Sequence, residues 1–351
     1  MQRHWQIVAV QLLLGAGLVG VLLWRVDLSD AQRVFEEASY WWVLAALPLF
    51  LVANFIGAVR SSLSLQRMGE VPIAPLFETY LVAFMVNSLV PLRIGDVLRI
   101  QVITRRYGLP ATGVTSAVFI TETLFDGAAF TLLFLWTIAV FGVPGVLLSL
   151  AWTLSFVILV GVIVAAVVSR VELQDGWEDR SAVRWLPERL RRIVGRLLPE
   201  ALQGLNLLTD WRASIRAFLL TLAGWMVQAV MYWTFGQAFG LDLSFADAIL
   251  VMMTASFIVS AHFVPTSIGI YEGTLTGLLV LLGLSSGEAL AYSVGTHLLM
   301  IFFGVLAGVV AMWRLKLGAH DLMVMGRRAI EDTEHAIEEA VGIAPGAGAG
   351  D

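Results

Sequence analysis

Apolar residues are gathered into long blocks along the chain. Runs at Ile7–Trp24, Trp41–Val59, Gly113–Phe141, Val146–Ser169, Ile215–Phe239 and Ala289–Trp313 each approach or exceed the ~20 residues that a helix needs to cross hydrocarbon. Two further stretches, Pro75–Pro91 and Ala246–Pro265, are shorter or interrupted. Trp5, Trp24, Trp41, Trp42 and Trp313 fall at the ends of runs, where amphipathic rings favour the headgroup level. Arg3 precedes the first run, but the run is long and no Ala-x-Ala cleavage site follows, so a retained anchor is expected. The pattern predicts an all-α integral membrane protein.

The polar remainder is small. Arg170–Arg212 contains Arg-rich stretches around Pro187–Leu198, expected to form interfacial helices with basic faces. The tail from Arg314 carries an amphipathic stretch, Asp321–Val341, and a Gly/Ala-rich end expected to be disordered. The expected organisation is a polytopic region over residues 1–313, with halves at about 1–142 and 143–313, followed by a cytoplasmic tail over 314–351. Neither polar segment has room for a soluble catalytic domain.

Composition agrees with this pattern. Hydrophobic residues make up 58% of the chain and charged residues 14%, with a mean hydropathy of +0.83, against ~25% charged in soluble domains. A soluble enzyme is excluded on that ground. The absence of Cys removes disulfide, zinc-ribbon and iron–sulfur frameworks. A net charge of −5 argues against nucleic acid as a partner.

The two halves resemble each other. Val90-Pro91-Leu92-Arg93-Ile94-Gly95 and Val264-Pro265-Thr266-Ser267-Ile268-Gly269 share the pattern V-P-x-x-I-G at an offset of 174 residues, and the same offset carries Trp41–Val59 onto another apolar run. Lys/Arg asymmetry places Arg3, Arg60, Arg67, Arg170–Arg212, Arg314 and Lys316 on the cytoplasmic side, with both termini. Counting crossings under that rule makes Pro75–Arg106 and Leu243–Gly283 re-entrant. The expected architecture is therefore an inverted repeat, with six full spans and two hairpins entering from opposite sides. The alternative is eight full spans.

Irregular backbone at membrane depth is tolerated where it is buried in protein or lines a wet cavity. The expected hairpin tips carry Pro91 and Gly95, and Pro265 and Gly269, Pro to break the helix and Gly to permit the turn. Asn87, Arg93, Asp96 and Arg99 surround the first tip; Ser260, His262, Thr266, Ser267 and Glu272 surround the second. A broken helix start with two Arg is suited to an anion; the alternative is that Arg93 and Arg99 sit at headgroup level with Asp96 as a partner. Glu122 and Asp126 share a helix face inside a span, and burial demands that they pair or protonate. Arg93 or Arg99 is the expected partner, with Arg93–Glu122 as the leading pair. Glu78 is expected to be interfacial. Thr296 and His297 align with Glu122 and Thr123 at the repeat offset; His297 and His262 are candidates for lining a cavity, and no metal site is expected because no second ligand stands at metal spacing.

Asn87-Ser88-Leu89-Val90-Pro91-Leu92-Arg93-Ile94-Gly95-Asp96-Val97-Leu98-Arg99 resembles the N…P-x-R-x-G-E-x-x-R segment of the lysylphosphatidylglycerol synthase transmembrane family, a group of flippase-like membrane proteins. Pro265–Gly273 resembles its second segment, P-x-S-x-G-x-x-E, and Thr121–Asp126 sits where the family often shows E-R-x-x-D. Asp96 replaces the usual Glu and Thr123 the usual Arg. The resemblance spans roughly residues 5–315. It implies handling of lipids across the bilayer without the soluble aminoacyltransferase domain of two-part resistance factors, so lysylphosphatidylglycerol synthesis is not expected.

The expected function is a lipid flippase of the cell (inner) membrane. Asn87, Arg93, Arg99 and Ser267 would bind an anionic phospholipid or polyprenyl-phosphate headgroup in a central cavity. Asp96, Glu122, Asp126 and Glu272 would position the Arg residues or carry a coupling proton, and His262, Thr296 and His297 would line the cavity. No G-x-x-x-x-G-K-[ST] motif occurs, so ATP is not the direct driver, and no cofactor is expected. The alternatives are an intramembrane enzyme acting on a lipid phosphate or polyprenyl carrier, and an accessory scaffold for a membrane glycosyltransferase.

Overall fold

The structure, a computed structural model, describes residues 28–90, 94–141, 198–261 and 268–318, with scattered helical positions at 160–161, 164, 167, 321 and 324. The expected first span, most of the span at 146–169, most of the basic segment and the tail lie outside the described residues, as do Pro91, Arg93, His262, Pro265 and Ser267.

The described residues are helical and contain no strand. In chain order they form α1 (Leu28–Glu36), α2 (Tyr40–Leu65), α3 (Ile73–Leu89), α4 (Ile94–Tyr107), α5 (Ala111–Phe141), a 3-10 turn (Leu205–Thr209), α6 (Trp211–Ala238), α7 (Phe245–Ala261), α8 (Ile270–Leu281) and α9 (Ser286–Leu315). Four of these, α2, α5, α6 and α9, are long and apolar enough to cross a membrane. Only 17–33% of their most apolar stretches is buried against protein. The remaining apolar surface faces outward, as it must where the solvent is lipid. Exposed Tyr40, Trp41, Trp211 and Trp313 mark helix ends.

Helix boundaries have local causes. Asp210 caps α6 by accepting from Arg212 N at 2.9 Å and Ala213 N at 3.3 Å. Ser285 and Glu288 form a reciprocal capping box at the start of α9. Amphipathic α1 is tied to the same cap: the Ser285 hydroxyl donates to Asp30 Oδ2 at 2.7 Å. That bond and Arg33 hold the Asp30 carboxyl below its usual range.

Helices α2 and α6 pack antiparallel along their lengths. Ser39 N donates to Ala238 O at 2.7 Å near one end, Arg60 reaches Thr221 at 3.0 Å further along, and Arg67 reaches Thr209 at 2.7 Å near the other. Helix α9 holds two shorter helices, both antiparallel to it. Its C-terminal half carries α3, from the Arg314–Glu78 ion pair at 2.7 Å to Gly304 beside Phe84 and Ser88. Its N-terminal half carries α8, from Thr276–Ser293 at 3.3 Å to Glu272–His297 at 2.6 Å. Glu78 is buried under Arg314, which pairs with it near the end of α9.

The ends of α3 and α4 return to one place. Val71, just before α3, and Leu109, just after α4, share an apolar cluster with Leu65 at the end of α2. The residues before α7 and after α8 lie toward the opposite end of α2: Leu243 packs on Gly236 of α6, and Gly287 packs on Asp30 of α1.

Close contact between α3 and α9 depends on two glycines one turn apart. A Cβ on Gly304 would overlap the Phe84 ring, and one on Gly308 would overlap Met85 Cβ and the Leu81 carbonyl. Small residues at this spacing let backbones approach where no hydrophobic effect separates helix from lipid. Gly308→Leu is expected to destabilise by ~1–3 kcal/mol through overpacking, seen as a lower Tm in detergent. Gly277→Leu, whose Cβ would meet nothing within 4 Å, is the comparison and should leave Tm unchanged.

Candidate functional site

A cavity of ≈ 580 Å³ opens among α2 to α7 and the middle of α9. Its walls are largely apolar, including Phe50, Phe84, Phe130 and Met231. One region is charged. Arg60 comes from α2, Tyr80 and Asn87 from α3, Asp96 and Arg99 from α4, and Glu122 and Asp126 from α5.

Glu122 is the hub. Its Oε2 accepts from Arg99 Nη2 at 3.0 Å and Arg60 Nη2 at 3.2 Å, and the Tyr80 hydroxyl lies 2.9 and 2.8 Å from its two oxygens. The Ser61 hydroxyl donates to Oε1. Arg60 Nη1 continues to Asp126 at 2.6 Å and to the Thr221 hydroxyl, while Trp225 Nε1 donates to Asp126 at 3.2 Å. The Arg99 guanidinium lies 4.0 Å from the centre of the Tyr80 ring, a cation–π distance. Arg60, Arg99 and Glu122 are each below 10% exposed. Charges so far from water persist because they compensate one another.

Helix α5 reaches this position through a π turn at Ser116–Ile120, a feature frequent at functional sites. Before the turn, Gly113 packs against Met68, and the backbone of Gly204 presses on Gly113 and Ser116 so closely that any Cβ at 204 would overlap them. After the turn, Glu122 and Asp126 face Arg60 and Arg99.

Of the residues expected at the site, Asn87, Asp96, Arg99, Glu122 and Asp126 are brought to one cavity. Asn87 closes the α3/α4 pair: its Oδ1 accepts from Gly95 N at 2.8 Å and its Nδ2 donates to Asp96 at 3.2 Å. Gly95 does not act as a turn glycine, since its φ is not positive. Its role is close approach, because a Cβ there would overlap the Ala83 carbonyl and Asn87. Gly269 does have φ +86, in the region that suits glycine.

Glu122 is held by Arg99 and Arg60. Arg60, used in the sequence only to mark the cytoplasmic side, is a buried member of the cluster. It was missed because a charged residue was taken to end the span at Val59, whereas α2 continues to Leu65. The signal that could have revealed it is a charge within one turn of an apolar run that continues with small, weakly polar residues.

Thr296 and His297 do not line the cavity. They form a second buried cluster with α8. Glu272 Oε1 lies 2.6 Å from His297 Nδ1, and its Oε2 accepts from Gly269 N at 2.6 Å. Tyr271 stacks on His297 with ring centres 4.2 Å apart, and its hydroxyl lies 3.4 Å from Thr296 and 3.3 Å from that of Tyr232.

The helices and their buried ion pairs define a multi-pass membrane protein with a cavity that is charged in one region and apolar over most of its walls. The chain belongs to the family described as the lysylphosphatidylglycerol synthase TM region, whose model matches residues 8–308. None of the curated proteins compared with the chain matches it.

Removing Glu122 alone takes from buried Arg99 the carboxylate it is bonded to, while Arg60 keeps Asp126, and Glu122→Leu is expected to destabilise by ~3–5 kcal/mol. A double-mutant cycle with Arg99→Leu, read by thermal unfolding, should give a coupling energy of ~1–3 kcal/mol. Strict additivity would remove the ion pair from any account of stability.

Proposed function

We propose that this protein is a lipid transporter that lodges a polar headgroup in the charged part of the cavity. The observation that carries this reading is the division of one cavity into a charged, hydrogen-bonding region and apolar walls, matching an amphiphile. Access from the bilayer is supported by two lining residues that are also heavily exposed: Phe119 on α5 and Phe257 on α7, the latter at 73%. Helices α5 and α7 approach each other at Thr137 and Met253, 3.9 Å apart, away from those two positions. A headgroup enters between them while its acyl chains stay in lipid.

Arg60 and Arg99 line the cavity, and a guanidinium is suited to a phosphate oxygen. Asn87, which lines the same cavity, belongs to the same proposed headgroup site. Among the described lining residues, carboxyl groups (Asp96, Glu122, Asp126) outnumber guanidiniums (Arg60, Arg99). That balance favours a headgroup carrying a cationic group beside its phosphate over a bare phosphate such as a polyprenyl carrier.

The architecture we infer is the inverted repeat, with α3/α4 and α7/α8 as hairpins that re-enter from opposite faces. It is supported by the return of each pair to the end from which it started. We read it as a protein of the cell (inner) membrane, and the charge rule favours an orientation with both termini cytoplasmic. We read the chain as a transporter and not an enzyme or a glycosyltransferase scaffold.

Purified protein in liposomes should move fluorescent phospholipid between leaflets with no new lipid species formed. A new species would favour the enzyme, and co-purification with a glycosyltransferase without lipid movement would favour the scaffold. Gly224 lines the cavity, and a Cβ there meets only Ile56 at an ordinary 3.6 Å. Gly224→Leu should therefore fill the cavity, keep the parent Tm and lower lipid movement about tenfold or more, ~1.4 kcal/mol or more on the barrier. Unchanged movement would discard the cavity as the route.

A further inference from the structure

We propose that the Glu272–His297 pair is a proton-binding site that couples the α7/α8 tip to transport; the coupling rests on the lipid-transporter reading above, while the site itself does not.

Both helix pairs are fastened in the same way. The first turns of the returning helix, α4 or α8, pair with the long helix that follows, α5 or α9. In the first pair the contact is Arg99 to Glu122 at 3.0 Å; in the second it is Glu272 to His297 at 2.6 Å. The charges are reversed between the two, and the cations differ in kind. A guanidinium stays protonated at any physiological pH. An imidazole is the side chain that gains and loses its proton near neutrality.

The position of the second pair makes that difference matter. Glu272 Oε2 also holds Gly269 N–H, at a residue with φ +86 immediately before α8. One carboxylate therefore fixes both the backbone at the start of α8 and its attachment to α9. With Nδ1–H donating to Glu272 Oε1, the added proton resides on His297 Nε2. The imidazolium form gives a full ion pair, reinforced by the stacked Tyr271 ring. Loss of that proton leaves a hydrogen bond to a buried carboxylate whose charge has lost its partner. The hold is strongest on the acid side and weakens as pH rises.

The other titratable groups facing this cluster are tyrosines: Tyr271 on α8, Tyr292 on α9 and Tyr232 on α6. Among the described residues of α7, the charged one is Asp247, which is engaged with Ser244 at the far end. His262 lies outside the described residues and is treated below by substitution.

The chain has no Cys, so single thiols report each tip in full-length protein in liposomes. Ile268→Cys reports the second tip and Val90→Cys the first, both at exposed positions. The Val90→Cys rate carries the intrinsic pH dependence of alkylation, since the Arg99–Glu122 contact keeps its cation. Between about pH 5.5 and about pH 8.5, the rate ratio of Ile268→Cys to Val90→Cys should rise roughly threefold or more. His297→Gln should flatten the ratio and His262→Gln should leave the rise intact. A flat ratio in the parent, or a rise that survives His297→Gln or disappears in His262→Gln, overturns the site. The parent series alone decides the matter should His297→Gln fail to accumulate. Lipid movement in the same liposomes should follow the pH of the ratio. A normal pH-dependent ratio with no lipid movement at any pH overturns the transport reading and the coupling while leaving the proton site standing. Lipid movement that ignores pH while the ratio responds overturns the coupling alone.

Discussion

The described half of this molecule that surrounds the cavity depends on one buried carboxylate. Glu122 takes two guanidiniums, a phenol and a serine hydroxyl, donated from α2, α3 and α4 to α5. In water such contacts are individually weak. Far from water, each charge would be intolerable alone, so the four helices are obliged to meet at this point. Apolar packing against lipid offers little preference for one arrangement of helices over another. The charges supply that preference.

Helix α9 plays the complementary role through shape. It presents glycines to α3 and a histidine to α8, so the ends of both short helices come to its middle, between His297 and Gly304. Met300 lies between those positions and lines the cavity. The Glu272–His297 cluster is thus separate from the cavity, whose α9 lining residue stands about one turn further along the helix.

The apolar runs were legible because hydropathy is a property of composition within a window: α2, α5, α6 and α9 begin and end within a few residues of their expected limits, apart from the extension of α2. The shared face of Glu122 and Asp126 was legible because it follows from helical spacing. The partners were harder. Arg60 is remote in sequence from Glu122, and charge alone suggested the surface. Tyr80, Ser61 and Trp225 carry no signal of their own, because tyrosine, serine and tryptophan are ordinary residues of membrane helices. Gly95 was expected in the right place for the wrong physical reason, since a glycine that permits a turn and a glycine that permits close approach look alike in a sequence. His297 was aligned by the repeat with Thr123, but its ring is engaged by Glu272 of α8 and not by the cavity.

The π turn gives α5 a fixed phase. Residues 111–115 are fitted to Met68 and Gly204, and residues 122–126 to the guanidiniums, and the two fits are reconciled by a wider turn between them. A regular helix advances about 100° per residue, so losing one residue in Ser116–Ile120 would satisfy one end of α5 or the other, never both. Length in that stretch is therefore constrained together with the packing of its buried Ser116, Ala117 and Val118: an insertion or deletion there would turn the charged half of α5 away from its partners.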